Sequence, residues 1–199
     1  MNREIIIRKE QPEDYLRVET IIRKAFWNLY VPGCYEHYLA HILRSHEDFI
    51  PELDLVIEKD GLVIGSVQIL TFGPICIAPE YQRMGYGKEL MEVSFQKAVQ
   101  MGYEAVVIFG SPANYVSSGF KSCKKYNVCL EGDIWPAAML VKELKPGALD
   151  GKKWFYYQSS AYDLDMEEAQ RYDDSLEKME KGFQPSQEEF YILSNASLS

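Results

Sequence analysis

Apolar residues recur along this chain with two different periods, and the switches between them outline its elements. Ile5-Ile6-Ile7 reads as an opening strand. Pro12 suits the first turn of a helix, and Tyr15, Val18, Ile22, Ala25, Phe26 and Leu29 then recur at helical spacing. Pro32-Gly33 punctuates the chain, and a second helix follows with Tyr35, Tyr38, Leu39, Ile42 and Leu43 on one face. Beyond Pro51 the period changes. Leu53, Leu55 and Ile57 step as a strand does, Asp60-Gly61 makes a tight turn, and Val63 to Leu70 is the returning strand. Gly65 within it marks a bulge or a close backbone approach.

Ile75-Cys76-Ile77 is a further short strand, broken by Pro79. After Gln82 to Gly87 comes an amphipathic helix that buries Leu90, Met91, Phe95, Ala98 and Val99 and stops at Gly102. The wholly apolar Ala105 to Phe109 reads as a sheet centre. A short helical segment over Ala113 to Ser118 follows, then a strand from Gly119-Phe120 to about Leu130, then another over Ala138 to Leu144. This order predicts an α/β (α+β) fold, a mixed sheet with helices on its faces. The character changes after about Gly147. Trp154-Phe155-Tyr156-Tyr157 is densely aromatic, Asp165 with Glu168 fits a capping box for a helix ending near Gly182, and Ser186 with Glu189 would cap a short final helix. So many aromatic groups argue that this tail packs on the core. Residues 1–146 are therefore expected to form one domain and residues 147–199 a C-terminal extension packed on it.

With 199 residues and 47% hydrophobic content, the chain can bury one sizeable core or a domain plus an appendage. A net charge of −9 argues against non-specific nucleic-acid binding, which needs lysines and arginines to displace counterions. It is only weakly indicative of a cationic, amine-bearing substrate, and an ordinary acidic soluble protein is the simpler reading. The N-terminal residues lack a signal-peptide core, and no run of about 18 apolar residues exists, so neither export nor membrane insertion is expected. Cys34, Cys76, Cys123 and Cys129 form no Cys-x-x-Cys pair, and Cys123 and Cys129 lie too far apart along a single strand to be bridged. Reduced thiols and a cytoplasmic location follow as the simple expectation.

The stretch from Ile75 to Leu90 carries the most chemistry. A strand, a glycine-bearing turn and a helix start leave free backbone N–H groups aimed at an anion, which the helix dipole also favours. The turn lacks the Gly-Lys-Ser/Thr ending of a nucleotide triphosphate loop and the three-glycine spacing of a dinucleotide fold. Gln/Arg-x-x-Gly-x-Gly/Ala after a strand closing in Pro resembles instead the pyrophosphate loop of the GNAT superfamily of acetyl-CoA-dependent acetyltransferases. Gln82, Gly85 and Gly87 fill its fixed places, and Gly73 to Tyr81 resembles the fourth strand and entry turn of that family. The resemblance covers about residues 3–145. It implies a mostly antiparallel central sheet with splayed fourth and fifth strands, acetyl-CoA as cosubstrate, no metal, and acetyl transfer to a primary amine by direct attack.

The resemblance also assigns roles. Ile75, Cys76 and Ile77 would line the pantetheine arm through their backbone, and Gln82, Arg83, Met84, Gly85, Tyr86, Gly87 and Lys88 would surround the pyrophosphate. Asn114 would bond the pantetheine arm. Tyr115, four residues before Gly119-Phe120, would be the general acid that protonates the departing thiolate. A thiol with a pKa of about 8.5 and a phenol of about 10 need only a modest local bias for that transfer. Cys76 as an acyl-carrying nucleophile is rejected, because no histidine adjoins it in sequence and a small cysteine in a strand is usually core. Glu36, His37, His41 and Glu58 could each accept the amine proton, and the sequence alone selects none of them. His37 and His41, one helical turn apart, lack the carboxylate motif of a metal site. The acceptor is left as a small molecule or a peptide amine, and a homodimer is compatible with the fold. Two rival readings share the scaffold: a non-catalytic acyl-CoA-binding regulatory module, and an interaction domain whose aromatic tail holds a protein partner.

Overall fold

The computed structural model describes residues 5–69 and 72–199. Four strands, β1 (Ile5–Lys9), β2 (Asp54–Lys59), β3 (Leu62–Ile69) and β4 (Phe72–Ile77), form an antiparallel sheet in chain order. Leu70, expected to close the third strand, lies outside the described residues. A second antiparallel sheet has the order β5 (Ala105–Phe109), β8 (Met139–Glu143), β6 (Lys121–Ser122). Among the described residues no ladder joins β4 to β5, so the two sheets part along that seam, as the expected splay requires.

Helix α1 (Tyr15–Phe26) covers one face of the first sheet, packing Val18, Ile21 and Ile22 against Val56, Val63 and Cys76. Helix α3 (Tyr86–Gln100) covers the other with Tyr86, Leu90 and Ala98 on Leu55, Ile57, Ile64 and Val67. The same helix turns Met91 and Phe95 onto Val106, Ile108 and Leu140 of the second sheet. Full burial of each large aliphatic side chain stabilises by about 1.5–3 kcal/mol, so α3 clamps both sheets from one side and leaves their seam open on the other. Val99, expected inside, is 48% exposed, because the seam runs through Met91, Phe95 and Ala98 and leaves it on the flank. Gly65 serves both anticipated purposes. The β2–β3 register shifts beside its partner Ile57, and a Cβ at Gly65 would stand 2.5 Å from the Cys76 carbonyl oxygen.

Several boundaries differ from the sequence expectation. The first helix stops at Phe26, because Asn28 adopts a positive φ of 59° and its side-chain oxygen accepts from Gly33 N and Gly182 N. The strand expected from Gly119 to Leu130 is two short pieces, β6 and β7 (Val128–Cys129), separated by a 3-10 turn over Cys123–Tyr126. That turn ends on Asn127 in the left-handed region, and Cys123 donates to the Pro136 carbonyl instead of continuing a ladder. β7 pairs in parallel with β9 (Trp154–Phe155). In the tail, α5 (Met166–Asp174) ends well before Gly182. Asp165 caps it by accepting from Glu167 N and Glu168 N, while Glu168, expected to complete the box, accepts from the Tyr38 hydroxyl. The last helix, α6 (Pro185–Ser194), begins at Pro185, and Ser186 bonds the Leu29 carbonyl instead of capping.

The tail lies against α1 and α2 (Glu36–Leu43) through polar ties of some depth. Arg23 donates to Asp173 at 2.8 Å, both nearly fully buried, and Tyr172 donates to Glu19. Trp27 and Asn28 donate to the Glu180 carbonyl.

Candidate active site

β4 is the edge of its sheet on the side facing β5, so alternate backbone groups along it lack a ladder partner. Ala78 N donates to Ile64 O at 2.7 Å, which fixes the alternation. The even-numbered residue Cys76 turns its N–H and C=O toward β3, whereas Ile75 and Ile77 turn theirs toward the open seam. The Cys76 side chain is buried against α1, its thiol 3.7 Å from the Ser66 hydroxyl, and burial pushes that thiol up to about 12. A thiol held protonated in this way is no nucleophile.

The turn after β4 is built as an open cradle. Gln82 donates its side-chain amide to the Ile77 carbonyl at 3.0 Å, tying the turn to the strand end. Arg83 and Gly85 both adopt positive φ, 59° and 92°, which Gly85 tolerates because it has no Cβ. The N–H groups of Lys88 and Glu89 close onto the Gly85 carbonyl. Among the described residues, the backbone N–H groups from Arg83 to Gly87 find no backbone acceptor. Tyr86 turns its side chain into the core beneath α3, so only its backbone faces the cradle. A Cβ at Gly87 would rest 3.6 Å from Ile77, an ordinary packing contact. Met84 is exposed, and Lys88 reaches Glu92 at 3.9 Å across one helical turn. A row of unpaired N–H groups at the start of a fifteen-residue helix fits a pyrophosphate.

At the upper end of the seam is a cavity of about 310 Å³. Gly73, Pro74 and Ile75 form its floor, Ile108 and Phe109 its far wall, and Tyr115 of α4 (Pro112–Tyr115) one side. The Tyr115 ring packs edge-on against Phe120 at 5.8 Å between centroids, and burial holds its phenol well above the usual tyrosine range. Asn114 is exposed on the same short helix, where Ser111 precedes the first turn. The structure thus brings Ile75 and Tyr115 to one cavity and sets the glycine turn at the other end of β4.

Of the four candidate bases, Glu36 alone lines this cavity among the described residues. Burial raises its carboxyl above the ordinary value, opposed by the Tyr35 backbone N–H that donates to it at 3.0 Å. His37 is fully buried, with Nδ1 3.4 Å from the Cys34 thiol and Nε2 3.3 Å from Asp173. His41 faces Glu19, and Glu58 pairs with Arg8. Both histidine rings pack on Tyr172, with centroids 5.7 and 4.6 Å from its ring, and no group of three potential metal ligands occurs among the described residues. Sequence reasoning missed Gly110, Tyr162 and Phe190. The first is moulded around the Tyr115 ring, and the other two come from the tail to complete the cavity wall. The aromatic density of the tail was the only available signal.

Residues 23–120 match the model of the acetyltransferase (GNAT) family. The N-acetyltransferase YhbS of Escherichia coli is 29% identical over 160 residues, covering 74% of this chain and 92% of its own. The crystal structure of YhbS in complex with CoA superposes with a TM-score of 0.70 at 25% identity, covering 83% of this chain and 95% of that one. These matches support a GNAT-superfamily acetyltransferase. A GNAT acetyltransferase from Brucella melitensis, solved in complex with acetyl-CoA, shares the fold at a TM-score of 0.65 and 21% identity over 80% of this chain. The GNAT match ends at Gly119-Phe120, just past Tyr115, so the family model does not reach the tail that closes the cavity.

Proposed function

We propose that this protein is an N-acetyltransferase that moves the acetyl group of acetyl-CoA to a primary amine by direct attack. Acetyl-CoA supplies an activated thioester carbonyl; the protein supplies position and protons. Backbone N–H groups of residues 83–87, with the side chains of Arg83 and Lys88 nearby, hold the pyrophosphate. The open edge of β4, through Ile75 and Ile77, takes the pantetheine arm as an added strand, and an N–H there polarises the carbonyl. Cys76 takes part only in holding the strand. Asn114 is placed to bond the same arm.

As the new carbon–nitrogen bond forms, the carbon–sulfur bond breaks and its electron pair goes to sulfur. Tyr115 gives its proton to that sulfur and regains one from the amine nitrogen; the second proton of the original ammonium leaves to solvent. Burial of Tyr115 keeps the phenol protonated until the thiolate appears. Holding the two substrates in line is worth about 7 kcal/mol or more, and the acid adds about 10²–10⁴-fold.

The observation that carries this reading is the meeting of the open β4 edge with Tyr115 in one cavity, next to a carboxylate. It is tested by incubating the protein with acetyl-CoA and a panel of primary amines, following thiol release and the acetylated product by mass. Wild type is expected to turn over at least one amine, and Tyr115→Phe to lower kcat by about 100-fold with CoA affinity retained. A protein that binds CoA but acetylates no amine would instead be the non-catalytic module.

A further inference from the structure

The cavity has a composition that selects among amines. Its walls are aromatic on three sides: Tyr30 and Tyr35 from the α1–α2 connection, Phe109 from β5, and Tyr162 and Phe190 from the C-terminal tail. Phe190 lies on Tyr30 with centroids 4.2 Å apart, so the tail and the α1–α2 connection form one continuous apolar surface. Tyr162 approaches Gly73 at the floor, where its hydroxyl would lie 3.6 Å from an added Cβ. Among the described lining residues, Glu36 is the only carboxylic acid; no lysine or arginine faces the space.

We infer that the acceptor is a primary ammonium on a short arm carrying one aromatic ring, with no carboxylate and no second cation. The ammonium pairs with Glu36, and the ring is held between the tail and the α1–α2 connection. The inference rests on the transferase reading above and names the substrate class of that site. A single half-buried carboxylate neutralises one ammonium and no more. The second charge of a polyamine would sit unpaired against aromatic walls, and an amino-acid carboxylate would meet Glu36 with no cation to compensate. A volume of about 310 Å³ accommodates a ring and a short chain, not an aminoglycoside. Glu36 also starts the proton route. Its carboxylate takes one ammonium proton, the freed lone pair forms the carbon–nitrogen bond, and Glu36 then returns its proton to solvent. The second nitrogen proton goes to Tyr115 after that residue has protonated sulfur.

The test compares 2-phenylethylamine with n-propylamine (no ring), phenylalanine (the same ring with an added carboxylate) and spermidine. Binding to the full chain is measured by calorimetry, and turnover with acetyl-CoA is measured separately. The expected result is that 2-phenylethylamine binds and reacts roughly tenfold to a hundredfold better than each of the others. Phe190→Ala and Tyr162→Ala should raise KM for 2-phenylethylamine roughly tenfold and that for n-propylamine by much less. The near-isosteric Glu36→Gln should lose ammonium binding without disturbing CoA affinity. A preference for spermidine or phenylalanine, with thiol released, overturns this inference and leaves the transferase reading standing. Binding of 2-phenylethylamine with no amine acetylated overturns the transferase reading instead. No ring preference in binding, or unchanged binding in Glu36→Gln, overturns the inference whatever the turnover.

Discussion

The Tyr115 ring lies so close to Gly110 that a Cβ built on the glycine would stand 2.8 Å from Tyr115 Cε2. Gly110 follows β5 directly, and its N–H donates to the Ala138 carbonyl at 2.9 Å, so its backbone is pinned while the ring leans over it. The phenol is thus positioned by an absent side chain on one side and Phe120 on the other.

Gly110→Ala should therefore swing the Tyr115 ring without breaking the ladder. The expected outcome is a fall in kcat of about tenfold or more, with KM for acetyl-CoA within about twofold of wild type. Steady-state kinetics on the variant checks this. An unchanged kcat would mean that ring placement does not limit the reaction.

The tie between tail and core should be strong and specific. Asp173 accepts from Arg23 at 2.8 Å where both are nearly excluded from water. Asp173→Ala leaves the guanidinium buried without its carboxylate, and a loss of about 3–5 kcal/mol is expected in urea unfolding. Because Phe190 and Tyr162 depend on the docked tail, the variant should also lose selectivity among amines before it loses CoA binding.

His37 makes stability depend on pH. Burial lowers its pKa to about 4, with the Asp173 carboxylate acting in the opposite direction. An unfolded histidine titrates near 6.5, so between about pH 6.5 and pH 4 the unfolded chain takes up a proton that the folded one refuses. This contribution to stability is full above pH 6.5, is lost as pH falls, and amounts to roughly 3 kcal/mol. In denaturant titrations, His37→Gln should lose about 2 kcal/mol less than wild type between pH 7 and pH 4.5.

Much of this was legible in the chain because periodic patterns survive folding. Of the step-by-two residues, Leu55 and Ile57 became β2 while Leu53 closes the 3-10 turn before it, and the stripe through Leu90, Met91 and Phe95 became the buried face of α3. The strand–turn–helix around Gly85 also appeared as read. The segment from Gly119 to Leu130 was not legible, since its outcome turns on Asn127 adopting a left-handed conformation and on a distant carbonyl at Pro136. Neither leaves a periodic trace. Among the candidate bases, Glu36 and His37 are neighbours in sequence. Helix rotation sends one into the cavity and the other toward Asp173, far later in the chain. Tyr162 and Phe190 likewise reach the cavity from a tail whose docking depends on pairs far apart in sequence, which no local window encodes.

The central claim is that the backbone turn from Gln82 to Lys88 holds the diphosphate of CoA, and calorimetric titration tests it most directly. CoA and pantetheine, which lacks the diphosphate, are titrated into wild type and into Gly85→Val, where valine at a φ of 92° distorts the cradle. Charge-assisted bonds of about 1.5–3 kcal/mol each predict that wild type binds CoA at least tenfold more tightly than pantetheine, and that the folded variant loses most of this preference. Equal affinity for the two ligands, or a folded Gly85→Val that keeps the full preference for CoA, would contradict it.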